Sequence, residues 1–140
     1  MDSIIVVSNL TKTYQTQKAV NDISFAVKEG SLFAFLGTNG AGKSTTIEIL
    51  CTLLKKSSGQ VIINGYNLDQ NNEGNIRKSI GVVFQQSILD DRLTVEENIL
   101  HRGKMYGLTT EELKENYAFV TKYLQLEEIA PRKYRQLSGG

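Results

Sequence analysis

Eight consecutive residues, Gly37-Thr38-Asn39-Gly40-Ala41-Gly42-Lys43-Ser44, carry the most legible chemistry in this chain. They fit the pattern Gly-x-x-x-x-Gly-Lys-Ser/Thr, in which consecutive backbone N–H groups wrap the phosphates of a nucleoside triphosphate. Gly37 and Gly42 permit backbone angles closed to other residues and leave room for phosphate oxygens. Asn39, Gly40 and Ala41 complete the cradle between them. Lys43 is positioned to reach the β- and γ-phosphates as a point charge, Ser44 to ligate Mg²⁺, and Thr45 to hydrogen-bond the α-phosphate. Average residue frequencies produce the pattern in roughly half a per cent of chains of this length, so its presence is informative.

Such a loop needs a strand to deliver it and a helix to leave it. The apolar run at residues 31–36 predicts a buried strand. Residues 43–54 predict a helix with Ile47, Ile49, Leu50, Leu53 and Leu54 on its apolar face. The N-terminal end of that helix adds its partial positive charge to the anion site. Ile4 to Val7 and Ile23 to Val27 predict strands, with Lys28-Glu29-Gly30 as a turn. Residues 60–63 run into Asn64-Gly65, a hairpin signal, before Tyr66-Asn67-Leu68. A polar, Asn-rich stretch at 69–79 predicts a loop with a short helix ending near Lys78. Residues 80–84 predict one more apolar strand.

The period then turns helical. Thr94-Val95-Glu96-Glu97 and Thr109-Thr110-Glu111-Glu112 both fit capping boxes, predicting helices over 95–106 and about 110–125, separated by Gly107. Pro131, the only proline, marks a break before a basic segment and the final Leu137-Ser138-Gly139-Gly140.

Bulk properties narrow the function classes. Sixteen basic residues against fifteen acidic ones leave no basic field for nucleic acid. The single cysteine, Cys51, permits no internal disulfide and fits a reducing compartment, as a packed thiol on the helix after the loop. Met1-Asp2-Ser3 lacks the basic start of a signal peptide, and no apolar run approaches the roughly 20 residues of a membrane span. A membrane role is therefore expected only through a partner.

Three further features come in a telling order: Tyr14 within Leu10-Thr11-Lys12-Thr13-Tyr14, Gln85 closing Ile80-Gly81-Val82-Val83-Phe84, and the terminal Leu137-Ser138-Gly139-Gly140. With the phosphate loop they make the whole chain resemble the ATP-binding-cassette family, the ATPase subunits of ABC transporters. The resemblance implies an α/β P-loop NTPase of the ABC ATPase type. It would have an N-terminal antiparallel β subdomain, a partial RecA-like core and a helical subdomain, with residues 1–86 holding the first two and 87–140 the third. By resemblance Tyr14 stacks on adenine, and Gln85 reaches Mg²⁺ or the attacking water beside Lys43. Ser138, Gly139 and Gly140 begin the signature that grips the γ-phosphate of ATP held by a second ATPase domain, in a head-to-tail dimer. Residues 87–92 would contact an integral membrane permease, although Asp90, Asp91 and Arg92 suit solvated loop charges equally well. His101 lies far from any catalytic position of the family and is expected at the surface.

The family's catalytic acid, at the end of an apolar strand, and its later histidine have no counterpart in these 140 residues. Glu127-Glu128 follows a helical run and Glu111-Glu112 opens a helix. The chain is thus expected to be a truncated cassette that binds ATP and Mg²⁺ without hydrolysing it, with unpaired sheet edges that invite self-association. The Leu36–Thr46 and Leu89–Val95 stretches look most like the drug- and ion-export branch, which implies a cytoplasmic subunit held at the membrane by its permease. A non-catalytic nucleotide-binding module and a soluble ABC ATPase outside transport are the alternative readings.

Overall fold

Two strands of equal length open the chain: β1, Ser3–Tyr14, and β2, Gln17–Lys28, paired antiparallel across a two-residue turn. β3, Ser58–Ile63, lies along the other side of β1, and the short β4, Tyr66–Asn67, pairs with β3. The result is one antiparallel sheet in the order β2-β1-β3-β4. The computed structural model describes residues 3–84 and 87–137. It divides into two units, Met1–Val83 and Phe84–Gly140.

In the first unit, a break in the alternation of β1 between Val7 and Leu10 organises the core. Val7 and Leu10 are both buried although three residues apart. A bulge makes this possible: Asn9 takes a left-handed φ of 51°, the register shifts between Val7 and Leu10, and the inward face changes parity. Asn9 Nδ2 donates to Asp22 Oδ1 at 2.9 Å, and the backbone N–H of Asp22 donates to Thr11 Oγ1 at 3.0 Å, so side chains replace part of the lost ladder. Val7, Leu10, Val20, Val61 and Ile63 from the sheet then meet Ile49, Leu50 and Ile76 from two helices. The Asn64-Gly65 turn has φ of 48° and 78°, both positive, as a tight hairpin turn requires.

Helix α1, Lys43–Leu50, is four residues shorter at its end than the apolar pattern predicts. Thr52, at φ 61°, closes a Schellman motif: its N–H donates to Ile49 O at 3.0 Å, and the N–H of Leu53 donates to Glu48 O at 2.9 Å. Glycine usually fills that left-handed position, so the sequence carries no stop signal there. Arg77 supplies the missing support, its Nε donating to Thr52 Oγ1 at 2.6 Å. Ile47 within the helix and Leu53 beyond its end are exposed, and of the five expected apolar positions only Ile49 and Leu50 are buried. Helix α2, Glu73–Ser79, follows the polar loop and buries Ile76.

Residues 31–36 and 80–84 depart from expectation. Both are apolar, yet neither enters a sheet among the described residues. Phe33 and Phe35, two apart and thus on one side of an extended chain, pack around Phe25 of β2 with ring centroids 5.3 and 5.0 Å away. Leu32, on the other side, is 100% exposed, and so is Val83. The two-residue period of a strand is present in the first segment. The partner strand that would turn it into a ladder is not among the described residues, and a strand exists only through such a partner.

The second unit is helical. Helices α3, Val95–Met105, and α4, Thr110–Tyr123, both begin with the expected capping boxes. Thr94 N–H donates to Glu97 Oε2 at 2.7 Å, and Thr109 N–H donates to Glu112 Oε2 at 2.8 Å. Gly103 lets the Leu113 side chain nest against α3, where a Cβ would overlap it. A 3₁₀ turn, Tyr134–Gln136, closes the described chain.

The Glu112 box has a pH signature. Backbone and side-chain hydrogen bonds from Thr109 hold the Glu112 carboxyl below its ordinary value. The folded unit therefore prefers the ionised form, and this support for α4 is present above the ordinary carboxylate range and lost as pH falls through the lowered value. Proton NMR titration of Glu112 should give a value below that of a free glutamate, returning toward it in Thr109→Ala. That variant keeps the backbone N–H of residue 109, so the return should be partial, and an unchanged value would rule out the hydroxyl as a contributor.

Candidate functional site

The loop between residues 36 and 43 is set by three glycines with positive φ: Gly37 at 153°, Gly40 at 84° and Gly42 at 79°. Gly42 is the N-cap of α1 and brings no side chain to its first turn. The first-turn N–H groups of an α-helix have no partner within the helix, so here they are free for an outside anion. A side chain on Gly42 is also sterically barred. An added Cβ would overlap the carbonyl oxygen of Ala19 on β2 and lie 3.1 Å from Val20 Cγ2. The loop is thereby seated on β2, with its helix held by Thr46, a buried residue whose hydroxyl donates to Gly42 O at 2.8 Å.

Lys43 folds back over the loop. Its Nζ donates to Gly37 O and to Thr38 O, each at 2.6 Å. Both acceptors are neutral carbonyls, and an ammonium gains more from a phosphate oxygen than from a neutral carbonyl, so the group is poised to exchange partners. Ser44 is exposed in the first turn and Thr45 half-buried beside it. Ser44 offers the hard oxygen donor that a Mg²⁺ ion prefers.

Tyr14 closes β1 and pairs with Gln17 across the turn, with Thr13 opposite Lys18 and Lys12 opposite Val20. Since Gly42 rests on Ala19 and Val20, this register brings Tyr14 to the end of the sheet on which the phosphate loop sits. The residue is 47% exposed. Strand pairing thus gathers Tyr14 and a loop that lies well beyond it in sequence onto one end of the first unit. A cleft of about 520 Å³ lies beyond the other end of α1, lined in part by Thr52, Leu54, Lys56, Asp69 and Arg77, with Lys56 Nζ 2.8 Å from Asp69 Oδ1. None of the phosphate-loop residues lines it. Cys51 caps α1 near that end, and burial pushes its thiol pKa up, as an inert packed sulfur requires.

Gln85, Ser138, Gly139 and Gly140 lie outside the described residues. The segments beside them are well tied within the second unit. Asn98, 4% exposed, accepts from the N–H of Asp90 at 2.9 Å and donates to Asp90 O at 3.0 Å and Thr94 O at 2.9 Å. Both amide hydrogens and the carbonyl are used, which fixes the loop at 90–94 onto α3. That loop pairs in turn with the chain leading to Leu137: Val95 N–H donates to Arg132 O at 3.1 Å and Tyr134 N–H to Leu93 O at 2.9 Å. Asn98 escaped the sequence reading, although a polar amide one turn after Thr94, beside the apolar Val95, is the signal that could have found it. His101 is exposed on α3, as expected.

A glycine loop that opens a helix, with that helix's N-terminus free and a lysine folded over it, has the features of the P-loop NTPase class. The sequence profile described as ABC transporter matches residues 20–140, and the chain belongs to that family. Its fold is that of the ABC ATPases. It is similar to the linearmycin resistance ATP-binding protein LnrL of Bacillus subtilis, 41% identical over 132 residues, 94% of this chain and 42% of that protein. The doxorubicin resistance ATP-binding protein DrrA of Mycobacterium tuberculosis is 36% identical over 141 residues, 99% of this chain and 42% of that protein. The chain therefore spans about four tenths of the length of these relatives. Among solved structures, cbiO1 of Clostridium perfringens, part of the ABC transporter complex cbiONQ, superposes with a TM-score of 0.86 at 27% identity, covering 99% of this chain and 57% of that one. The ATP-binding cassette MJ0796, a dimer bound to ADP and Pi in a post-hydrolysis state, gives a TM-score of 0.77 at 30% identity, covering 96% of this chain and 63% of that one. No helix among the described residues is long and apolar enough to cross a membrane.

Proposed function

We propose that this chain is the nucleotide-binding part of an ABC transporter ATPase subunit, and that it holds Mg-ATP at the loop Gly37 to Ser44. The observation that carries the reading is the uncapped N-terminus of α1, seated on β2 with Lys43 folded over it. Lys43 would leave the two carbonyls for the phosphates, Gly40 to Ser44 would donate backbone N–H groups, and Thr45 would complete the α-phosphate contact. Tyr14 would stack on the base. Bound Mg²⁺ would neutralise phosphate charge, with Ser44 and Gln85 as its protein ligands. In the complete subunit a second ATPase domain would face this one head to tail, Ser138, Gly139 and Gly140 would close over the partner's nucleotide, and ATP closure and hydrolysis would drive a permease. The names of the resistance-protein relatives support an export role, at the cytoplasmic face of a membrane.

The 140 residues alone are proposed to bind nucleotide without turning it over, because phosphoryl transfer rests on positioned groups and no acid in the sequence ends an apolar strand. Exposed Leu32 and Val83 favour self-association of this chain.

Calorimetric titration with Mg-ATP tests the reading. Binding should weaken about 30-fold in Lys43→Ala, the equivalent of roughly 2 kcal/mol for one charge-assisted contact. Equal affinity in the two proteins would remove the phosphate-loop assignment. Phosphate release abolished by Lys43→Ala would show that the chain is catalytic by itself.

A further inference from the structure

Lys12 is the residue that the functional reading leaves unused, and its side chain is fixed at both ends of an interaction. Its Nζ lies 4.9 Å from the centroid of the Tyr14 ring, within cation–π range. The same ammonium donates to Lys55 O at 2.7 Å. Lys55 belongs to the connection after α1, and that connection is itself secured to β1. Ser57 N–H donates to Thr11 O at 2.9 Å, and Ser57 Oγ accepts from Thr13 N–H at 3.0 Å. The acceptor that holds the ammonium is thus fixed to the strand that carries the ring.

We infer that Lys12 is a positioning residue for base recognition: it covers one face of Tyr14, immobilises the ring, and leaves the other face as the platform for a purine. This rests on the adenine-stacking reading of Tyr14. With one face occupied, Tyr14 still exposes 47% of its surface, enough to receive a planar partner. An aromatic ring already held in place loses less freedom on stacking than a swinging one, so the cation contributes to affinity without touching the nucleotide. Lys12 acts on the base end of the ligand alone. Lys43 acts on the phosphate end, and the two lysines should separate cleanly by ligand.

The test compares Mg-ATP with Mg-tripolyphosphate, which has phosphates and no base, in calorimetric titrations of the 140-residue chain. Lys12→Met keeps the aliphatic stem and removes the cation. It should weaken Mg-ATP about two- to fivefold, the size of an exposed cation–π contact, and leave tripolyphosphate binding unchanged. Lys12→Arg, which keeps a cation for the ring and a donor for Lys55 O, should retain the wild-type ATP affinity. In a Tyr14→Ala background, Lys12→Met should have no further effect.

Equal weakening of both ligands by Lys12→Met, additive weakening with Tyr14→Ala, or a loss in Lys12→Arg as large as in Lys12→Met would overturn the inference. The underlying reading fails in a different way. If Tyr14→Ala leaves the preference for ATP over tripolyphosphate intact, stacking on Tyr14 is wrong. If Tyr14→Ala removes that preference and Lys12→Met does not, stacking stands and the role of Lys12 falls.

Discussion

Gly59→Ala is expected to destabilise the first unit by more than about 4 kcal/mol, enough to unfold a domain of ordinary stability. Gly59 sits in β3 at φ 90°, opposite the β1 bulge, where Ser8 pairs with Gln60 and Thr11 with Ser58. An added Cβ would overlap Asn9 O and lie 2.6 Å from Asn9 C and 2.7 Å from Leu10 Cα. All three are backbone atoms, so no rotamer change can relieve the overlap. The strands would have to separate, and Leu10, Val7 and Val61 would leave the core together. Strain from the left-handed backbone adds about 1–2 kcal/mol. Gly65→Ala is the control: its φ is 78°, but nothing lies within 4 Å of the added atom. Denaturant unfolding followed by far-ultraviolet circular dichroism should show a small midpoint shift for Gly65→Ala and loss of the folded baseline for Gly59→Ala. Similar shifts in the two variants would mean that the close crossing of β1 and β3 is wrong.

Gly42→Ala should strongly weaken Mg-ATP binding as well as the fold. The Cβ would drive into Ala19 O, so either α1 moves off β2 or Gly42 leaves its left-handed cap. Both outcomes misdirect the N–H groups of Lys43, Ser44 and Thr45. Loss of two charge-assisted hydrogen bonds at about 1.5–3 kcal/mol each predicts weakening of roughly a hundredfold or more. Gly40→Ala again isolates the steric effect, since Gly40 has φ 84° and open space around its Cα. It should bind more weakly than wild type and much more tightly than Gly42→Ala. Titration calorimetry on the three proteins reads the difference directly. If Gly40→Ala and Gly42→Ala lose affinity equally, seating against β2 is irrelevant to the site.

These two glycines show where sequence reading stops. Gly42 was recognisable from its motif, but for its φ and for room beside phosphate; that its missing side chain is also a packing requirement against Ala19 depends on a strand 23 residues earlier. Gly59 sits in no chemical motif and carried no signal. The helix after the loop starts where the sequence predicts and ends earlier, because Thr52 occupies a position usually marked by glycine. Arg77, 25 residues away, makes that possible. The capping boxes at Thr94 and Thr109 were fully legible, since all their partners lie within three residues. Residues 31–36 carry the period of a strand without becoming one among the described residues, because periodicity records which faces differ and hydrogen bonding decides whether a neighbour exists.

The amino-acid sequence alone determined the features whose causes are local: the phosphate loop, the hairpin turn at Asn64-Gly65, the two capped helices, and through the order of motifs the family. Tertiary structure decided what depends on distant chain segments meeting. It seated the loop on β2, brought Tyr14 to the same end of the sheet, pressed Gly59 against the bulge at Asn9, and laid Lys12 over the Tyr14 ring. Local signals survive in sequence because a turn or cap is satisfied by neighbours a few residues away. A close crossing between strands leaves only an unexplained glycine.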